Sequence, residues 1–178
     1  DPNNKIGLAG QGGLRWINTD KVFSYVINFE NADSATAAAQ IVTITDTLDT
    51  QVYDLNTLEL KFFTLADSLY KLPKGLQSYD GIIDLRPRLP MYVNVEVDLD
   101  SVEGILTWKF TALDTITLEL LNDPILGLLP PNVDGVSGTG SVFYTILPYE
   151  NTQTGTTFSN LASIVFDMEA AIITDPWI

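Results

Sequence analysis

Carboxylates are the residues of this chain with the most chemistry to offer. Glu96 and Asp98 sit two apart, on one side of an extended segment, and Asp100 and Glu103 enter the turn that follows. Oxygen donors converging from a strand end and a loop suit calcium, which takes about 6 to 8 of them at ~2.3 to 2.6 Å. Asp98, Asp100 and Glu103 are the candidate ligands, although their spacing is not that of an EF-hand loop. The same residues also read as a solvated negative hairpin that discourages edge pairing. A second acidic group joins Asp1, Asn3 and Asn4 with Asp167, Glu169 and Asp175. Asp1 and Asp175 are the ligands that an ion stiffening a junction between neighbouring domains would use. Neither site makes calcium a required cofactor.

Other chemistry is excluded by composition. The 178 residues contain neither His nor Cys, which removes Ser-His-Asp and Cys-His nucleophiles, thiol redox chemistry, disulfides and His- or Cys-bound zinc. A Ser-x-x-Lys spacing at Ser68 and Lys71 lacks the Ser-Asp-Asn and Lys-Thr-Gly partners of acyl-transfer enzymes. Paired carboxylates are so abundant that a glycosidase-like separation arises by chance. The expectation is therefore a protein that is not an enzyme. Trp16 and Trp177 are candidate ligand-binding residues, as stacking platforms for sugar rings or as packing surfaces for an adjoining domain, whereas Trp108 alternates with apolar neighbours and reads as core.

A net charge of −14 repels nucleic acid and anionic lipid, keeps copies apart, and predicts a monomer when the domain is isolated. Apolar runs such as Ala170 to Ile173 are far shorter than the ~20 residues of a membrane-spanning helix. The chain reads as one module over residues 1–178, excised from a longer protein, with neighbouring domains of the same polypeptide as partners.

The elements that must position these residues are strands. Phe23, Tyr25, Ile27 and Phe29 alternate with polar residues, as do Met91, Val93, Val95, Val97 and Leu99, and then Leu106, Trp108 and Phe110. The turn Asp100 to Gly104 joins the last two segments as a hairpin. Ala39 to Thr47, Leu58 to Leu65, Ser141 to Leu147 and Leu161 to Asp167 are further strands, with turn signals at Asp80-Gly81, Pro87 to Pro90, Pro130-Pro131 and Asp134-Gly135. Roughly seven or more short strands punctuated this way predict an all-β, antiparallel sandwich of Ig-like, Greek-key type. Ser34 to Gln40 is too short for a stable helix and reads as a loop. The loop Leu120 to Gly140 carries Ile125, Leu126, Leu128 and Leu129, which fits either a lid on one end of the core or a docking surface.

Phe23 to Asn31, followed by Ala37 to Leu48 with its Thr45-Asp46-Thr47-Leu48 ending, resembles the conserved-repeat β-sandwich modules of large bacterial surface and secreted proteins. Asp1 to Lys5, Asp123 to Asn132 and Ala162 to Asp167 with Ile172 to Thr174 extend the resemblance across the chain. It implies a structural or spacer module, extracellular or on the cell surface, with a carbohydrate- or protein-binding module as the alternative. The sequence departs from the pattern at Asn4, Glu169 and Asp175. Asp46 and Asp49 read as strand-end and turn residues. An internal amide between lysine and asparagine needs a buried lysine beside an acid, and the strand lysines Lys21, Lys61 and Lys109 alternate outward.

Overall fold

The computed structural model describes residues 2–178. Eleven strands are formed: β1 (Asn4–Ile6), β2 (Phe23–Glu30), β3 (Ile41–Thr47), β4 (Tyr53–Leu65), β5 (Ser68–Lys71), β6 (Tyr79–Asp84), β7 (Tyr92–Asp100), β8 (Ile105–Leu113), β9 (Thr139–Pro148), β10 (Ala162–Phe166) and β11 (Ile172–Ile173). They build a five-stranded sheet in the order β1-β2-β9-β4-β5 and a six-stranded sheet in the order β11-β10-β3-β8-β7-β6. Pairing between neighbouring strands is antiparallel throughout both sheets. This is the expected all-β sandwich.

Period-two alternation decides which side chains meet between the sheets. Phe23, Tyr25, Ile27 and Phe29 of β2 are buried, as are Val142, Tyr144 and Ile146 of β9 and Leu106, Trp108 and Phe110 of β8. Rings from opposite sheets contact one another: Phe63 of β4 lies 5.3 Å from Phe110 and 6.4 Å from Trp108, in edge geometries that favour aromatic pairs. The β7–β8 hairpin turns at Asp100, which pairs with Ile105, as the sequence predicts. Gly104 adopts a left-handed φ of 72°, open to glycine at little cost, and its carbonyl accepts the Leu48 amide.

Asp80-Gly81 is not a turn. It lies within β6, where Gly81 pairs with Val95 and leaves room for the Tyr79 ring. The 120–140 loop divides its apolar residues. Leu128 and Leu129 are buried against the core, which fits the lid, whereas Ile125 is 80% exposed. The loop is pinned by side-chain amides: Asn31 Nδ2 donates to the carbonyls of Leu129 and Ala37, and Gln40 Nε2 to those of Asp123 and Leu126.

Candidate functional site

Strand β3 buries alternate residues, and that inward file runs Val42, Ile44, Asp46. A carboxylate thus stands where the pattern calls for an aliphatic side chain. Asp46 is fully buried, which corrects its reading as a strand-end residue. Its partner comes from the opposite sheet. Lys5 in β1 pairs with Ile27 of β2, shares that residue's inward face, and sends its amine across the sandwich to form an ion pair with Asp46 Oδ2. Both side chains are wholly removed from solvent.

Three tyrosines complete the cluster. The Tyr144 hydroxyl donates to Asp46 Oδ2 at 2.6 Å and accepts from Lys5 Nζ at 3.2 Å. The Lys5 ammonium lies 4.5 Å from the centroid of the Tyr25 ring, within cation–π range. Tyr25 and Tyr53 join their hydroxyls in a buried hydrogen bond. Burial pushes the Lys5 amine down to about 8, against the Asp46 charge, which pulls it up. Burial also raises all three phenols: Tyr53 to about 12, Tyr25 and Tyr144 further, helped by the Asp46 charge.

A second buried polar group belongs to the same region. Asn160 is 3% exposed, and neither Oδ1 nor Nδ2 has a hydrogen-bond partner among the described residues. Its backbone exchanges hydrogen bonds with Trp177, whose ring stands 5.3 Å from that of Tyr25, the ring beneath the Lys5 amine. Along the chain, Asn160 precedes by two residues Ala162, which pairs with Asp46, and burial alternates through this stretch, so that Asn160 and Ala162 face inward together. Asp46 Oδ1 likewise has no partner.

The proposed ion ligands are arranged otherwise. Asp98, Asp100 and Glu103 are exposed, and Asp100 Oδ1 is occupied as a turn cap, accepting the amides of Val102 and Glu103. Asp175 is exposed, and Asp1 lies outside the described residues. Among the described residues no three acidic side chains gather closely enough to hold a metal ion. Ser68 and Lys71 fall on β5, where residues three apart point to opposite faces.

Trp16 and Trp177 both line one groove of about 640 Å³, together with Leu14, Arg15 and Phe158. Trp16 is 54% exposed, whereas Trp177 is half-buried with its ring against Phe23 and Tyr25.

A family model for a domain of unknown function, DUF7619, matches residues 1–67 and 96–178. The chain belongs to the DUF7619 family. Every member of the buried cluster lies inside the matched spans of this DUF7619 domain, and the unmatched residues 68–95 carry β5, β6 and the first part of β7.

No curated protein matches the DUF7619 chain. Its structural neighbours are bacterial surface adhesin and pilus domains with Ig-like β-sandwich folds. The N-terminal domain of the Streptococcus gordonii adhesin Sgo0707 is 11% identical with a TM-score of 0.48, over 97% of this chain and 31% of that one. The collagen-binding domain of a Staphylococcus aureus adhesin is 13% identical with a TM-score of 0.45, over 98% and 92%. The group B streptococcus pilus 2b backbone protein is 16% identical with a TM-score of 0.46, over 86% and 51%. The chain thus spans about a third of the first of these structures and about half of the third.

Sequence reasoning missed Lys5 and Asn160. Asp46 carried a usable signal, since it shares the parity of Val42 and Ile44, but β1 is three residues long and offers no period to read. The burial of Asn160 follows from the bridge to Trp177, which only the fold brings together.

Proposed function

We propose that this domain is a non-catalytic structural module of a bacterial cell-surface or secreted protein, holding its neighbours at a set spacing. One observation carries the reading: the concentrated charged and phenolic chemistry of the domain is sealed between the two sheets, where no substrate arrives. Such a cluster acts on the domain itself, as a clamp between β1 of one sheet and β3 of the other. The acidic exterior keeps modules from adhering to one another, and the resemblance to conserved-repeat modules supports the extracellular setting.

Antibody raised against the domain tests this in the intact host. Labelling of unpermeabilised cells, or recovery of the protein in the medium, is the expected result. Labelling only after permeabilisation overturns it.

A second reading has its own observation. Trp16 stands half exposed beside the Phe158 and Trp177 rings on one groove, which suits a sugar ring or an apolar peptide side chain. Retention of the domain on immobilised polysaccharide, abolished by Trp16→Ala, would establish it, and absence of retention on a panel of polysaccharides removes the carbohydrate form.

A further inference from the structure

A buried ion pair is costly to desolvate, and a buried carboxamide with neither atom bonded is more anomalous still. Both occur here in one region. Lys5 Nζ reaches across the core to Asp46, and Asn160 stands two positions along the inward file from the residue that Asp46 faces. Trp177 closes the circuit from the other side, bonded to Asn160 through the backbone and resting on the tyrosine that lies beneath the Lys5 amine. Gly7, two residues beyond Lys5, leaves space for the Trp177 ring, so β1 and the Asn160–Trp177 bridge are packed against each other.

We propose that Lys5 Nζ and the side-chain carboxamide of Asn160 condense to an internal amide, releasing ammonia, with Asp46 as the acid–base group. In the first step the Lys5 ammonium gives a proton to Asp46, leaving a neutral amine and a carboxylic acid. Burial disfavours the Lys5 ammonium and so eases its loss of a proton. The amine attacks Asn160 Cγ, forming the C–N bond, while the acid gives its proton to Oδ1. Collapse of the tetrahedral intermediate breaks the Cγ–Nδ2 bond: Asp46 relays a proton from the former lysine nitrogen to the departing nitrogen, then takes back the Oδ1 proton as the carbonyl re-forms and ends as the carboxylic acid. The products are one secondary amide and one ammonia. No oxidant, metal or activated group is consumed. The Tyr144 hydroxyl, bonded to both the amine and the carboxylate, fixes their relative position, and exclusion of water prevents hydrolysis of the intermediate. The reaction satisfies Asn160 by removing its free carboxamide and replaces the buried charge on Lys5 by a neutral amide N–H.

This inference stands on the core geometry and is independent of the location proposed above, so cell labelling and the following test fail separately. The purified domain is denatured and its intact mass compared with the sequence mass, and the link is then located by peptide mapping. The expected result is a mass lower by one ammonia, with the peptides containing Lys5 and Asn160 joined. Lys5→Met and Asn160→Ala should have their full sequence masses. Asp46→Ala, which keeps both reacting groups, should do so too. A wild-type protein of full sequence mass overturns the proposal. So does an ammonia loss confined to one peptide, which marks a cyclised asparagine, or a loss of water joining Lys5 to Asp46. The wild-type mass and map decide the matter even where a variant fails to fold.

Discussion

Asn160→Ala is expected to change stability in opposite directions with and without the amide. The link closes the chain between residues 5 and 160, a loop of about 150 residues. By the chain-entropy relation for cross-links, that closure destabilises the unfolded state by roughly 5 kcal/mol. Alanine abolishes it. Without the link the same substitution only deletes a buried carboxamide whose two polar atoms have no partners among the described residues. Removing such a group recovers a desolvation cost of about 1 to 3 kcal/mol, less a small cavity term. Equilibrium urea unfolding, followed by near-ultraviolet circular dichroism of the buried Trp108, separates the two cases. With a slope of about 2 kcal/mol per molar, the expected loss moves the midpoint down by roughly 2 M. The slope itself should steepen, because an unlinked chain exposes more surface when it unfolds. A midpoint that stays or rises in Asn160→Ala refutes the reasoning.

In the Asn160→Ala background Lys5 remains a free amine, and its titration becomes measurable. The folded amine titrates near 8 and the unfolded one near 10.5, so between those values the unfolded state binds more protons and the contribution of Lys5 to stability rises with pH. Urea midpoints of Asn160→Ala compared with Asn160→Ala/Lys5→Met should show a relative gain on the order of 2 to 3 kcal/mol across that window, and the linked wild type should lack it. Above about pH 10 the raised phenols of Tyr25, Tyr53 and Tyr144 act oppositely, since the unfolded tyrosines ionise first and stability falls in both variants alike. Gly104→Ala forces a side chain into a left-handed backbone and against the Leu48 carbonyl; a loss of about 2 to 3 kcal/mol in urea unfolding is expected. Millimolar calcium and magnesium should raise the thermal midpoint equally through screening, because among the described residues no three carboxylates converge; a calcium-specific rise, lost in Asp98→Asn/Asp100→Asn, would contradict this.

What the sequence disclosed was whatever repeats along a strand. Phe23 to Phe29 and Met91 to Leu99 announce their inward faces because four or five alternations leave one consistent register. The Asp100 turn follows from the same logic, and Trp108 is core for the same reason. The short edges were silent: β1, β5 and β11 hold three, four and two residues, too few to establish a period. Asp80-Gly81 misled because a turn-forming pair was weighed without the half-buried Tyr79 and Ile83 on either side, which make the segment a strand. The buried cluster was hidden more deeply. Its lysine lies on a strand with no readable pattern, its acid looks like a turn residue, and its asparagine owes its burial to pairing with Trp177. Local pattern reports one element at a time, whereas Lys5, Asp46 and Asn160 become neighbours only when two sheets close on each other.

The brevity of β1 has a mechanical consequence. Strand β1 is attached to the rest of its sheet through three residue pairs with β2, and an edge so short is the first thing to peel when the chain is pulled. An amide from Lys5 to Asn160 changes the load path. Tension arriving through β1 would leave through Asn160 by covalent bonds alone, and everything from β2 to β9 would hang beside that path as an unloaded loop. One of the shortest hydrogen-bonded strands of the domain would then be its strongest tether, and the module would transmit force without lengthening.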